Sequence, residues 1–364
     1  MRPRRAICVT RDAALRRLVE RTLAMPGVTV EYCERAPEHT RDAVLVLVDR
    51  AARVAAGEQL RAIAAPVVIV GDDLEDDAVI AAMLEPPVSH LVGDPGDHDL
   101  GITLQKLVSG DLFGLEKYLL GGAPIGERAV ASDADKRRAI GEVCAWAETI
   151  GARSPTVHRM ASVVDELLMN ALHRAPAMPG PPSDLAAPPG PLDLPGAPGA
   201  SVLPGTSVLP GTSALPGTSV LPGTSALPGT SALLGTSALP GTSALPGTSA
   251  LPGASARRAV LRWGADGEVI AISVGDSCGT LRQRDVIDHI RRARSESGRP
   301  RPESQAQRGA GLGIYLVFAN VSSLVINVEG GRRTEVVCLF DRARPGRPAA
   351  STVRALHVFQ TRAP

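Results

Sequence analysis

The sequence predicts an α/β protein: a doubly wound parallel sheet over residues 1–110, then a second α/β region interrupted by a long repeat-rich segment. Three observations carry this. Short apolar runs alternate with amphipathic stretches from residue 5 to residue 110. One of those runs, Ala43-Val-Leu-Val-Leu-Val48, is apolar at every position, as suits a parallel strand buried on both faces. After Arg257, two hairpin patterns flank helical stretches.

Taken in order, Ala6-Ile-Cys-Val9 reads as a strand and Asp12 to Ala24 as a helix capped by Asp12, whose short acceptor side chain suits a helix start. Val28 to Cys33 and Ala43 to Val48 are further strands, and Glu58 to Ala64 is helical. Val67-Val-Ile-Val70 and Val88 to Val92 are strands four and five, each followed by a helix, Asp76 to Leu84 and His98 to Val108. Five β/α units in about 105 residues imply a parallel sheet with helices on both faces.

This half resembles a response-regulator receiver domain, in the order of its elements and in Asp49 at the carboxyl end of the third strand. The resemblance implies a flavodoxin-like five-stranded sheet and makes Asp49 the candidate phosphoacceptor. Other receiver parts are missing. Arg11-Asp12 stands for the acidic pair, Gly71 for the hydroxyl, and Asp94-Pro95 for the Lys-Pro. Without the lysine nothing replaces its charge on phosphoryl oxygens, so the half reads as a degenerate receiver used for docking or dimerisation.

Residues 111–127 form a connector broken at Gly121-Gly-Ala-Pro124. Glu127 to Ala131 reads as a strand, Ser132 and Asp133 as caps of a helix to Ile150, and Ser154-Pro155 as the start of the next helix. That helix carries Val163, Val164, Leu167, Leu168, Ala171 and Leu172 at helical spacing and ends at Pro176. Glu166 and Asn170 lie four apart and share a face. A carboxylate there can take a proton, and an amide oxygen is a hard ligand suited to Mg²⁺.

Residues 176–256 are low in complexity. From Ser201 to Ala254 run nine hexapeptides of the type Ser-(Ala/Val)-Leu-Pro-Gly-Thr, one with Leu234 in place of proline. So few apolar groups per unit cannot bury a solenoid core, and glycine at every sixth position excludes collagen. The segment reads as a disordered insert, tolerated because loop-closure entropy grows slowly with length.

Regular structure resumes with a hairpin, Ala259 to Trp263 and Val269 to Val274, around Asp266-Gly267. Leu281 to Arg294 reads as a polar helix, Glu296 to Arg308 as a loop, and Gly313 to Asn320 as a helix. Leu324 to Val328 and Glu335 to Phe340 form a second hairpin around Gly330-Gly331. Residues 342–364 form a tail, with Val353 to Phe359 as an added strand. Three motifs here carry chemistry. Asp276, after the apolar strand, can accept a hydrogen bond from an exocyclic amine and would repel a guanine oxygen; Gly279 would let backbone approach a base or ribose. Gly309, Gly311 and Gly313 open a helix whose N-terminus favours phosphate. Thr334 is a strand hydroxyl within reach of a base.

Composition narrows the classes. A net charge of +1 gives no field for nucleic acid or membrane, and 2% aromatics make base-stacking platforms implausible. Five scattered cysteines with no Cys-X-X-Cys fit free thiols in a reducing cytoplasm. Neither a secretion signal nor a membrane span, which needs a run of about 18 apolar residues, is expected.

Residues 128–175 and 257–341 together resemble the GHKL ATPase superfamily, which includes histidine kinases, anti-sigma-factor serine kinases and gyrase. The resemblance implies a two-layer α/β Bergerat fold binding ATP and Mg²⁺. Glu166 matches the general base of several members, Asn170 the Mg²⁺-binding asparagine, and Asp276 the adenine-reading aspartate. Gly279 matches the first glycine of that box; Thr280 follows it and the second glycine is absent. Gly309, Gly311 and Gly313 match the second glycine box. Residues 281–308 then correspond to the mobile lid, made basic by Arg291, Arg292, Arg294, Arg299, Arg301 and Arg308. Asp-Glu-Leu-Leu-Met-Asn-Ala-Leu-His, from Asp165, most resembles the anti-sigma-factor serine kinases. That implies a kinase acting on a serine of a partner protein such as an antagonist, with a sigma factor or response regulator as other partners and a homodimer compatible with the receiver-like half. Two alternatives stay open: a histidine-kinase-like protein whose phosphoacceptor lies on a partner, since only His98-Asp99 has the local pattern, and a non-catalytic ATP-gated binding module.

Overall fold

Eleven strands hydrogen-bond side by side into one mixed sheet. The computed structural model describes residues 4–37, 40–74, 77–84, 86–94, 98–174, 258–296, 312–342 and 353–361, all within one unit of residues 1–178 and 255–364. The repeat insert lies outside the described residues.

The first half runs β1 (Arg4–Val9), α1 (Ala13–Thr22), β2 (Val28–Cys33), β3 (Ala43–Asp49), α2 (Arg50–Ala56), β4 (Val67–Val70), α3 (Asp77–Ala82), β5 (Val88–Val92) and α4 (His98–Ser109). Its strands pair in parallel throughout. Strand residues point alternately to opposite faces, so an all-apolar run serves two cores. Val46 and Val48 join Val79, Ile80 and Met83 on one side. Leu45 and Leu47 join Leu15, Val19, Leu100 and Leu104 on the other. Asp12 caps α1, its Oδ1 accepting from the Ala14 N–H at 2.7 Å. The helix expected from Glu58 begins earlier, at Arg50, because Asp49 caps it; Gly57–Ala62 is a 3₁₀ turn.

The second half runs β6 (Ile125–Val130), α5 (Asp133–Thr149), α6 (Ser154–Met169), β7 (Ala259–Ala265), β8 (Val269–Asp276), α7 (Gln283–Glu296), α8 (Leu312–Asn320), β9 (Ser323–Glu329), β10 (Arg333–Asp341) and β11 (Ala355–Thr361). Ser132 caps α5 through its side chain. Ser154 is itself the first residue of α6, with Arg153 before it and no side-chain cap. Strands β6 to β10 pair antiparallel, and α5 to α8 contribute to the same core face as α2 and α3.

The region read as a tail holds the strand that joins the two halves. β11 pairs antiparallel with β5 and parallel with β9. Leu356 and Val358 face the helical core, while His357 and Phe359 face α4. Instead of two separate sheets, the protein has one sheet with a parallel and an antiparallel end, in the order β2-β1-β3-β4-β5-β11-β9-β10-β8-β7-β6. On the α4 side, the buried Lys106 ammonium donates to the Tyr118 hydroxyl at 2.6 Å and to Asn327 Oδ1 at 2.8 Å. Asn327 Nδ2 and the Gly114 N–H both donate to Glu335 Oε2 at 3.0 Å.

Candidate functional site

The site grows from α6. Val157, Met160, Val163, Val164, Leu167 and Leu168 are buried on its inner face, which leaves Glu166 and Asn170 half-buried at the margin. At Asn170 the helix changes pitch: its N–H bonds back to the Glu166 and Leu167 carbonyls, and Asn170–Arg174 then form one π-helical turn. Such turns widen a helix locally and recur at functional sites. The preceding residue, Asp165, is tied to α5 by Lys136 at 2.8 Å.

β8 and β10 supply the floor. In their antiparallel register Asp276 is the Cα partner of Thr334, and Val274 of Val336. All four side chains fall on the α6 side by strand alternation. With Leu167, Asn170 and Ala171 from α6 they line a cavity of about 320 Å³, within the size range of small-ligand sites. Thr280, Leu281, Asp285, Val286, His289 and Ile314 complete the lining. Burial raises the Asp276 carboxyl above its ordinary value, opposed by hydrogen bonds from Cys278, Gly279 and Thr334. The Cys278 N–H to Asp276 Oδ1 distance is 2.7 Å.

Gly279 does not line this cavity. It adopts φ +59°, and its carbonyl accepts from the Gly331 N–H at 3.0 Å. A Cβ there would collide with backbone of the β9–β10 turn, so the glycine seats the loop that carries Thr280 and Leu281 into the cavity wall. Gly313 is buried in the first turn of α8, and a Cβ on it would overlap the Glu166 carboxylate. Glu166 therefore abuts α8 at Gly313; neither residue lines the cavity, although their neighbours Leu167 and Ile314 do. Gly309 and Gly311 lie outside the described residues.

Of the segment 281–308, the helix α7 is described, and its polar sequence conceals an apolar face. Val286, Ile287, Ile290 and Ala293 are buried on one face of it, a stripe hidden among charges. Arg294 turns toward the N-terminal half, where it pairs with Asp77 at 2.8 Å and donates to the Leu74 carbonyl at 3.0 Å. Arg299, Arg301 and Arg308 lie outside the described residues. The reading of the motifs also missed Asp285 and His289, which stand one turn apart on the cavity side of α7; their spacing of four was the available signal.

Asp49 has a structural occupation. Its Oδ1 accepts from the Ala52 N–H at 2.7 Å as the cap of α2, and its Oδ2 accepts from the Thr10 hydroxyl. Nearby, buried Asp72 pairs with Arg53 and Arg50.

Neither a scan against protein-family models nor a search of the curated proteins returns a match for this chain. The class that the fold and the cavity define is a mixed α/β protein with a pocket at the antiparallel end of its sheet, among the described residues, whose floor carries Asp276 and Thr334. Among the described residues no helix is long and apolar enough to cross a membrane.

Proposed function

We propose that the protein is an ATP-dependent protein kinase of the GHKL type that phosphorylates a serine on a partner protein in cytoplasmic signalling. On this reading the parallel end, with its 2-1-3-4-5 strand order, is a flavodoxin-like receiver relic, and the antiparallel end with α5 to α8 is a Bergerat fold. The observation that carries the proposal is convergence. Asn170, Asp276 and Thr334 come from segments far apart in sequence and line one cavity, and Gly313 abuts Glu166 beside it.

The donor types fit the ligand. Asp276 as a carboxylate accepts from the adenine amine, and its burial makes a mismatched acceptor costly. Thr334, its partner across the ladder, completes the base edge. The Asn170 amide oxygen suits Mg²⁺, which commonly takes one or two protein ligands plus phosphate oxygens and water; when bound it neutralises phosphate charge. The close packing of Gly313 on Glu166 leaves that carboxylate at the N-terminal turn of α8, where phosphates are favoured. In the transfer, the incoming serine Oγ forms a bond to the γ-phosphorus as the bond to the ADP oxygen breaks. Glu166 takes the hydroxyl proton.

The test is ATP turnover and radiolabel transfer to a candidate antagonist protein, comparing wild type with Glu166→Ala. The proposal expects equal ATP binding and loss of transfer in the variant, with acid-stable label in the wild-type product. An acid-labile product would point instead to phosphohistidine chemistry, and a wild-type protein that binds no ATP would defeat the proposal.

A further inference from the structure

The cavity wall contributed by α7 carries two polar groups with no role in the scheme above. Asp285 lies in the first turn of α7 and His289 one turn on, and both line the cavity opposite the α6 residues. The contacts of the His289 ring favour one tautomer of its neutral form. Its Nδ1 lies within hydrogen-bond distance of the Asp285 carbonyl oxygen. A carbonyl only accepts, so Nδ1 carries the proton and neutral His289 presents Nε2 as an acceptor. Ionised Asp285 is likewise acceptor-only. The wall therefore offers two acceptors four residues apart on one helix face.

Two adjacent acceptors select a ligand group with two adjacent donors. A phosphate has none to give at neutral pH and would be repelled by Asp285. A transition metal normally takes three or more protein ligands, and among the described residues no group of three His, Cys, Asp or Glu is placed to hold one. A vicinal diol presents two hydroxyl donors, and carboxylates hold ribose hydroxyls in this way in other nucleotide sites.

The wall is also held in place. At its start, Gln283 Nε2 donates to the Met83 and Val88 carbonyls at 2.6 and 2.7 Å. At its end, Arg294 is bound to Asp77 and Leu74. Between these anchors Val286, Ile287 and Ile290 are buried. A helix pinned at both ends and along its apolar face positions its polar face before any ligand arrives, which lowers the cost of recognition.

We infer that Asp285 and His289 are the ribose-reading pair of the cavity, binding the 2′- and 3′-hydroxyls of a ribonucleotide and selecting it over deoxy forms. This rests on the adenine-nucleotide reading and adds a sugar preference that Asp276 alone does not give.

Calorimetric titration of the full-length protein with ATP and with 2′,3′-dideoxyadenosine triphosphate tests it. Wild type should prefer ATP by at least about tenfold, the scale of lost hydrogen bonds to charged or buried acceptors. Asp285→Ala and His289→Ala should bind the dideoxy compound as wild type does and lose most of the preference. Equal binding of both nucleotides by wild type, or an undiminished preference in both variants, would overturn the ribose assignment while leaving ATP binding intact. Binding of neither nucleotide by wild type would overturn the ATP reading itself, and this inference with it.

Discussion

Position 313 has no room for a side chain, because the Glu166 carboxylate fills the space in which a Cβ would stand. The two residues are far apart in sequence, and their contact fixes α6 against the first turn of α8. Gly313→Ala must push that carboxylate aside. Because that carboxylate is the far end of a flexible, half-buried side chain, it can move aside at little cost in stability, and thermal unfolding should change little. Phosphate transfer should fall at least about tenfold, since a misplacement of about 1 Å near a reacting group has larger effects still. A variant with wild-type transfer would show that the contact has no consequence.

On the proposed reading, Asp276 should make ATP affinity depend on pH in a defined direction. Its carboxyl is raised by burial, and only the ionised form accepts from an amine. ATP affinity should therefore fall as pH drops through the window above the ordinary aspartate value of about 3.9. By linkage, bound ATP should lower the carboxyl's pKa. The folded, empty protein holds this proton to higher pH than the unfolded chain, so the group's contribution to stability declines as pH rises through the same window. Asp276→Asn should weaken ATP binding by at least about tenfold and flatten the pH profile; titrations across pH 4 to 7 read both.

Lys106 gives a second pH signature, this time in stability. Burial, the largest influence, depresses its ammonium from the usual lysine range to about 7. Between about pH 7 and the unfolded value of about 10.4, the unfolded chain binds more protons than the native state, so this group makes stability rise with pH. Relative to Lys106→Met, the wild type should gain stability from pH 7 to 8.5, by at most about 1.4 kcal/mol per pH unit. Denaturant titrations at the two pH values measure the difference. Parallel behaviour of the two proteins would show that the ammonium does not deprotonate on folding.

Asp49 should behave as a helix cap. Replacing it with alanine removes the acceptor for the Ala52 N–H and the partner of Thr10. Loss of an N-cap costs about 0.5–2 kcal/mol. Unfolding of Asp49→Ala should reflect that loss, while ATP binding, at the other end of the sheet, stays as in wild type.

Much of the fold was legible because the signals were local. The all-apolar run of β3, the cap at Asp12 and the Asp266 turn each declare themselves within a few residues. β11 was legible as a strand at Val353 to Phe359, but its place was not: it lies between β5 and β9, with His357 and Phe359 near α4 and Leu356 and Val358 in the main core. Only tertiary pairing shows that it joins the two halves. The network of Lys106, Tyr118, Asn327 and Glu335 was equally hidden, since its members are polar residues that only tertiary contact makes internal. In the site, Glu166, Asn170, Asp276 and Thr334 were readable as chemistry at known spacings. Asp285 and His289 were not, because α7 reads as a charged helix until its buried stripe is known.

The central claim is that α6, the loop after β8 and the β10 strand surround one adenine nucleotide. Photolabelling with 8-azidoadenosine triphosphate, followed by peptide mapping, addresses it directly. The account predicts label within residues 274–289 or beside Asn170 and Thr334, suppressed by ATP but not by GTP, and lost in Asp276→Asn. Label confined to the parallel end of the sheet, or competed equally by GTP, would contradict it.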